Sequence, residues 1–283
     1  FIKNNPDKVS VSAAKQADIV VLCLGEPQGY SGEGNCRTNL DLPGVQNELA
    51  EAVISANPNT AVLLFTGRPL AITKLNGIAP AILNMWFPGT EGGNSAADLL
   101  FGDANPAGKV TMTFPKHVGQ CPIYYNHTNT GRPISKQNDE KHNGYASNYI
   151  DCGNLPLYSF GYGLSYSNFV YEDMLLSSDG LTANSEITVK VTIYNDSDRE
   201  GKETIQLYMR DLVASTARPV QQLIDFQKIS LKPRERKTVE FTVAEKMLRF
   251  WDNEHNFVSE PGDFNLSVGY ADNMVFTKKI TLL

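Results

Sequence analysis

The sequence has little of several things that would assign a function quickly. Its 283 residues include four cysteines, Cys23, Cys36, Cys121 and Cys152, with no CxxC pair, so neither a zinc ribbon nor a disulfide scaffold is supported. The four histidines, His117, His127, His142 and His255, form neither HxxxH nor HExxH, and a metal site would need ligands from distant segments. No apolar run approaches the ~20 residues of a membrane span. Long blocks of one charge are missing, and so is a basic excess. The 25 Lys and Arg face 31 Asp and Glu for a net charge of −6, which argues against a general nucleic-acid binder. GxGxxG, GK[ST] and GxSxG are all absent from the strand ends, so nucleotide binding and a nucleophile elbow lack support. The chain begins at Phe1 and not at Met, and we expect a fragment or a processed product whose site is shared with residues elsewhere.

What is present is enough apolar sequence, 41%, for two ordinary cores, written in two different patterns. Residues 1–115 alternate strand-like and helix-like segments. Ala17–Gly25, Thr60–Phe65 and Ala81–Phe87 are β-rich apolar runs that read as strands buried on both faces, with Cys23 a small buried hydrophobe. Pro43–Ile54 has apolar residues at helical spacing, and Gly92–Phe101 reads as a short helix with Leu99, Leu100 and Phe101 turned inward. A β-loop-α repeat predicts a mostly parallel α/β sheet, with a ligand crevice at the carboxyl ends of its strands. From about 172 the period changes to two, as in Ile187–Ile193, Thr204–Met209, Thr238–Val243 and Phe264–Gly269. Turn signals stand between them at Asn195-Asp196-Ser197, Lys232-Pro233-Arg234 and Glu260-Pro261-Gly262-Asp263. About seven short strands in about 110 residues predict an immunoglobulin-like β-sandwich over 172–283. Residues 116–171, rich in Tyr, Gly, Asn and Pro, read as an ordered connector packed on the first domain. Sequons at Asn126, Asn195 and Asn265 are short enough to arise by chance.

Chemistry is most concentrated in the loop from Gly25 to Arg37. It holds two carboxylates, Glu26 and Glu33, and glycines flank Glu33 so that its backbone can approach a ligand closely. A carboxyl there can serve as a general acid, although spacing alone favours a solvated loop glutamate. Glu26, directly after the strand, is the competing acid and equally a salt-bridge partner for Arg37. The Gly92-Gly93 pair after Glu91 either opens an anion-binding helix or packs that helix closely. Trp86 either stacks on a sugar or belongs to the core.

Several ordered motifs resemble glycoside hydrolase family 3. They include Gly25-Glu26…Gly32-Glu33…Arg37-Thr38…Leu42-Pro43-Gly44…Gln46, Trp86-Phe87-Pro88-Gly89-Thr90-Glu91-Gly92-Gly93 and Leu99-Leu100-Phe101-Gly102-Asp103-Ala104-Asn105-Pro106-Ala107-Gly108-Lys109. Pro156-Leu157-Tyr158-Ser159-Phe160-Gly161-Tyr162-Gly163 is another, and Arg218-Pro219-Val220-Gln221-Gln222 and Glu260-Pro261-Gly262 resemble that family's fibronectin type III-like domain. The likeness covers nearly the whole chain. It implies the carboxyl-terminal part of a retaining β-glucosidase of the periplasmic or secreted kind, acting on terminal β-linked glucose. The alternatives are a β-xylosidase or other exo-β-glycosidase, and a non-catalytic carbohydrate-binding or structural module.

The resemblance places the general acid/base on Glu33; Arg37, Arg68, Trp86 and Glu91, which the strand and loop order brings near the same sheet edge, are candidate loop organisers or sugar contacts, and Glu26 stays the alternative acid. It implies no cofactor and no metal. The nucleophile aspartate is expected in an upstream barrel, since no Asp here matches it. The acid must carry a proton near neutrality and lose it as the covalent intermediate forms, with the two carboxyls ~5–5.5 Å apart. The β-sandwich is not expected to carry a platform of exposed aromatics, and no oligomeric state is specified.

Overall fold

The computed structural model describes residues 8–135, 139 and 142–283. They divide into two compact units, one running to Asp103 with Phe114–Pro122 added, the other made of Ala104–Thr113 and Ile123–Leu283. Among the described residues, no helix is long and apolar enough to cross a membrane.

In the first unit, helix α1 (Lys8–Gln16), strand β1 (Val20–Gly25), helix α2 (Gln46–Ala56), strand β2 (Thr60–Phe65), helix α3 (Thr73–Ile78), strand β3 (Ala81–Asn84) and helix α4 (Gly92–Phe101) follow in order. The strands pair in parallel in the order β1-β2-β3, with Gly25 opposite Phe65 and Leu64 opposite Asn84. All three therefore end at one edge, and the loops that follow them meet there. On one face α4 lays Ala96 and Leu100 against Leu63, Phe65, Leu83 and Met85. Helix α2 buries Ala50, Val53 and Ile54. Helices α1 and α3 were not expected, because each is short and carries few apolar repeats.

Two expectations need correction here. Strand β1 is not covered on both faces: Val21 is 47% exposed and Cys23 is exposed, so the thiol is not a core residue. Cys23 shares a face with Leu63, its register partner, and α4 covers the β2 and β3 residues of that face, leaving those of β1 open. Phe101 is 85% exposed rather than inward. Ala96 and Leu100, four apart, meet the sheet, and the next residue is turned ~100° away along the helix.

The second unit contains the sandwich. Strands β5 (Gly180–Leu181), β7 (Gly201–Asp211), β8 (Gln222–Leu231), β12 (Gly262–Tyr270) and β13 (Asn273–Leu282) form one sheet in the order β5-β13-β12-β7-β8. Strands β4 (Phe169–Leu176), β6 (Glu186–Asn195) and β9 (Arg236–Ala244) form the other, β4-β6-β9. Period two places the core: Ile187, Val189, Val191 and Ile193 point inward and meet Ile205, Leu207, Phe241, Phe264 and Leu266. Asn195 closes β6 from inside. Its amide donates to the carbonyls of Arg199 at 2.8 Å, Leu231 at 3.2 Å and Lys232 at 3.0 Å, and its oxygen accepts from Ser197 Oγ at 2.6 Å. With that side chain fully buried, the Asn195 sequon is closed to a glycan in the folded chain.

The segment Ala104–Thr113 belongs to this unit because Lys109 Nζ lies 3.0 Å from Glu203 of β7 and donates to Gly163 O at 2.8 Å, while Asn105 binds Ser167 Oγ at 2.8 Å. The tyrosine-rich stretch is ordered by ring contacts. Tyr125 stacks on Phe160 at 4.3 Å and meets Tyr208 edge-on; Tyr158 stacks on Tyr162 at 5.1 Å, and Tyr162 meets Tyr270 edge-on. The sandwich does carry an exposed aromatic pair, contrary to expectation. The hairpin of β10 (Phe250–Trp251) and β11 (Phe257–Val258) sets Trp251, 66% exposed, beside Phe257, 48% exposed, with centroids 5.2 Å apart. Trp251 and Phe257 are register partners across this hairpin, which turns both rings to the same side, and strand alternation in the sequence did not reveal it.

Candidate active site

The site is built at the carboxyl edge of the β1-β2-β3 sheet. Strand β1 ends on Gly25, whose φ is +145°, and a Cβ added there would lie 1.8 Å from Phe65 O. Only glycine lets the two strand ends approach this closely. Gln46, at the start of α2, clasps the turn: its Oε1 accepts Gly25 N–H at 2.7 Å, and its Nε2 donates to Gly25 O at 2.8 Å and Pro43 O at 3.0 Å. Glu26 follows, anchored through its own N–H to Phe65 O at 2.9 Å.

The two carboxylates of this loop occupy opposite environments. The Glu26 side chain has no exposed surface; Arg37 Nη1 lies 2.6 Å from its Oε1 and Arg68 Nε lies 3.2 Å from the same oxygen. That second contact is an ion pair too oblique to count as a hydrogen bond, since Arg68 Nε has no hydrogen-bond acceptor. The Gly67 N–H points to the other oxygen at 3.3 Å. Glu33, in contrast, is exposed, and among the described residues no ion pair or hydrogen bond engages its carboxylate. Asn35 N–H donates to Gly32 O at 3.1 Å, so Glu33 and Gly34 are the central pair of a β-turn. Gly34 has φ +75°, as the second central residue of a type II turn requires. The turn therefore holds Glu33 at its tip.

Arg68 grips this turn from behind. Its Nη2 donates to Tyr30 O, to Ser31 Oγ at 3.2 Å and to Asn35 O at 3.3 Å, bracketing Glu33 on both sides. Arg37 donates to Asp41 O at 3.1 Å and lies over the Tyr30 ring, 5.1 Å from its centroid. Both arginines are thus in place to organise the loop. An open hollow of 680 Å³ lies beside it, lined by Tyr30, residues 36–39 and 41–44, Asn47 and Glu48; Glu33 is not part of that lining.

Trp86 and Glu91 sit differently. Trp86 has φ +51°, rare for a bulky residue, and this turns the chain at the end of β3. Its ring is half-buried, 5.6 Å from Phe114. With the Asn84 amide oriented to satisfy its neighbours, Trp86 Nε1 donates to it at 3.1 Å. Glu91 opens α4 and accepts from Asn94 Nδ2 at 2.7 Å. The residue that sequence reasoning passed over is Phe87. It is 62% exposed, and its ring and Ser31 Oγ both crowd Gly67, where an added Cβ would lie 2.6 Å from Phe87 Cζ and 2.3 Å from Ser31 Oγ. The available signal was its position immediately after Trp86, on the opposite side of a strand end.

Fold and site together define the class: a parallel α/β unit that presents a carboxylate on a turn at its strand ends, continued in sequence by an immunoglobulin-like sandwich. Residues 3–166 match the glycosyl hydrolase family 3 C-terminal domain and residues 203–271 match the fibronectin type III-like domain. The chain belongs to glycosyl hydrolase family 3. It is 48% identical over 260 residues to a periplasmic beta-glucosidase of Salmonella typhimurium, covering 92% of this chain and 34% of that protein. A beta-xylosidase of Formosa agariphila is 39% identical over 273 residues, covering 96% of this chain and 36% of that protein. Among solved structures, a beta-glucosidase from Listeria innocua in complex with gluconolactone superposes with a TM-score of 0.94 at 39% identity, covering all of this chain and 39% of that one. The chain therefore spans about a third of the length of the curated relatives it matches.

Proposed function

We propose that this chain is the carboxyl-terminal part of a retaining, exo-acting β-glucosidase and that it supplies the general acid/base, Glu33. The nucleophile, an aspartate, comes from an upstream barrel of the same polypeptide, and the whole enzyme works in the periplasm or outside the cell. The observation that carries this reading is the presentation of Glu33 at the tip of a pinned turn at the sheet's carboxyl edge, while the other loop acid, Glu26, is buried between two arginines. The Salmonella and Listeria relatives favour the glucosidase, and the name of the Salmonella one alone favours the periplasm; the Formosa relative favours a β-xylosidase as second reading.

In the first half-reaction the aspartate carboxylate bonds to the anomeric carbon as the glycosidic C–O bond breaks, and Glu33 gives its proton to the departing oxygen. In the second, Glu33 takes a proton from water, the water oxygen bonds to the anomeric carbon, and the aspartate leaves with net retention. Arg37 and Arg68 hold the acid turn, and the exposed Phe87 ring offers an apolar face to a sugar beside it.

The test uses the full-length polypeptide. Glu33→Gln should lower kcat/KM for phenyl β-glucoside by about 10²–10⁴-fold. It should spare 2,4-dinitrophenyl β-glucoside in the first step, because that leaving group needs no proton. Azide, which needs no general base, should then accelerate turnover and trap a β-glycosyl azide. Equal losses on both substrates, or no azide response, would remove Glu33 from the role. Faster turnover of the β-xyloside would favour the second reading, and the 283-residue chain by itself should turn over neither.

A further inference from the structure

We propose that Glu26 is a positioning residue for the acid turn: its buried negative charge aligns Arg68, and Arg68 sets the place of Glu33. This rests on the reading of Glu33 as the acid/base.

The route is continuous in the structure. Glu26 cannot wander, because Gly25 is clasped by Gln46 and the Glu26 N–H is bonded to Phe65 O at 2.9 Å. Its carboxylate therefore stands at a point defined by the β1-β2 register. Arg68 comes from the loop after β2, and its N–H is held by Thr66 Oγ1 at 2.9 Å. Arg68 Nε lies 3.2 Å from Glu26 Oε1 as an ion pair without a hydrogen bond, so the buried charge holds the guanidinium at this place, from which Nη2 donates to Tyr30 O, Ser31 Oγ and Asn35 O. Those three acceptors flank Glu33 on both sides.

The side chains of Glu26, Arg37 and Arg68 are 0%, 15% and 20% exposed, so the ion pairs are largely shielded from water. In such surroundings the loss of the charge cannot be made good by solvent, and the two guanidiniums would repel each other with nothing between them. Glu26 is not presented to a substrate, since its oxygens face Arg37, Arg68 and the Gly67 amide. It acts through the turn.

Glu26→Gln keeps the shape and removes the charge. In the full-length enzyme it should lower kcat/KM for phenyl β-glucoside by about 10- to 100-fold, the scale of an ångström-sized misplacement of a catalytic group. The 2,4-dinitrophenyl substrate should fall less than about 3-fold, because its departure needs no positioned acid. A residue that merely supports the fold would lower both alike. Arg68→Lys keeps a charge but loses the planar fork, and it should reproduce the pattern if Glu26→Gln does not fold. In the folded Glu26→Gln protein, amide exchange should rise at residues 32–35 and stay unchanged along the β1-β2 ladder. Equal losses on both substrates, no loss on either, or exchange that rises across the ladder would overturn the proposal. Glu33→Gln is run beside it: if it shows no dependence on leaving group, the acid/base reading itself fails, whereas dependence in Glu33→Gln without it in Glu26→Gln and Arg68→Lys sinks only the positioning role.

Discussion

Gly25→Ala probes the point on which the site hangs. The added methyl would lie 1.8 Å from Phe65 O, 2.7 Å from Phe65 C and 2.9 Å from Phe65 N, all backbone atoms of the neighbouring strand. No rotamer change can relieve that contact, so the ends of β1 and β2 must separate. Three hydrogen bonds go with them: Glu26 N–H to Phe65 O, Gly25 N–H to Gln46 Oε1, and Gln46 Nε2 to Gly25 O. Alanine also carries the strain of a φ near +145°. Strain of about 1–3 kcal/mol and three hydrogen bonds of about 0.5–1.5 kcal/mol each put the loss at about 2.5–7.5 kcal/mol, a large part of the stability of an ordinary domain.

The measurement is simplified by the two tryptophans, Trp86 in the first unit and Trp251 in the second. In a Trp251→Phe background, urea unfolding followed by fluorescence reports the half-buried Trp86 and hence the α/β unit alone. Gly25→Ala should move the midpoint down by more than about 1 M. A loss below about 1 kcal/mol with an unchanged slope would refute the reasoning, because it would mean the strand ends part freely and do not hold Glu26 in place.

Other outcomes can be checked on the second unit. Asn195→Ala should destabilise the sandwich by about 2–4 kcal/mol, since three carbonyls and the Ser197 hydroxyl lose their partner; denaturation followed by circular dichroism that shows no shift would contradict this. Burial, and then the nearby Tyr162, push the Tyr158 phenol up to about 12. A folded value above the unfolded one means that the stabilisation is complete below about pH 10 and is lost as pH rises towards 12. Tyr158→Phe should flatten the fall in stability across that window, and a tyrosinate titration placing Tyr158 near its ordinary value would be inconsistent with the packing described.

Local pattern was a good guide wherever a residue's fate depends on near neighbours. Alternation in Ile187–Ile193 determined which side chains meet the sandwich core, because a period of two admits one wet face and one dry face. Three apolar runs, each followed by a loop, placed the candidate residues at one sheet edge, and the resemblance of Ser31-Gly32-Glu33-Gly34 singled out Glu33 as the proposed acid. Phe101 was misread because a helix and a run of apolar letters have different periods.

What the sequence could not decide rests on groups distant along the chain. Spacing left Glu26 and Glu33 as rivals; only the arrival of Arg68 from the loop after β2 buries one and leaves the other at a turn tip. The positive φ of Trp86 sends its ring toward Phe114 and leaves Phe87 outside, a choice made by packing across the unit. Cys23 is exposed because of where α4 lies, and Ala104–Thr113 joins the sandwich because Lys109 finds a shielded partner in Glu203. Hydrophobic period and turn chemistry are properties of adjacent residues and can be read in one dimension; burial of a particular charge or ring is a property of whatever else occupies the same volume, and that is determined only when the chain has folded.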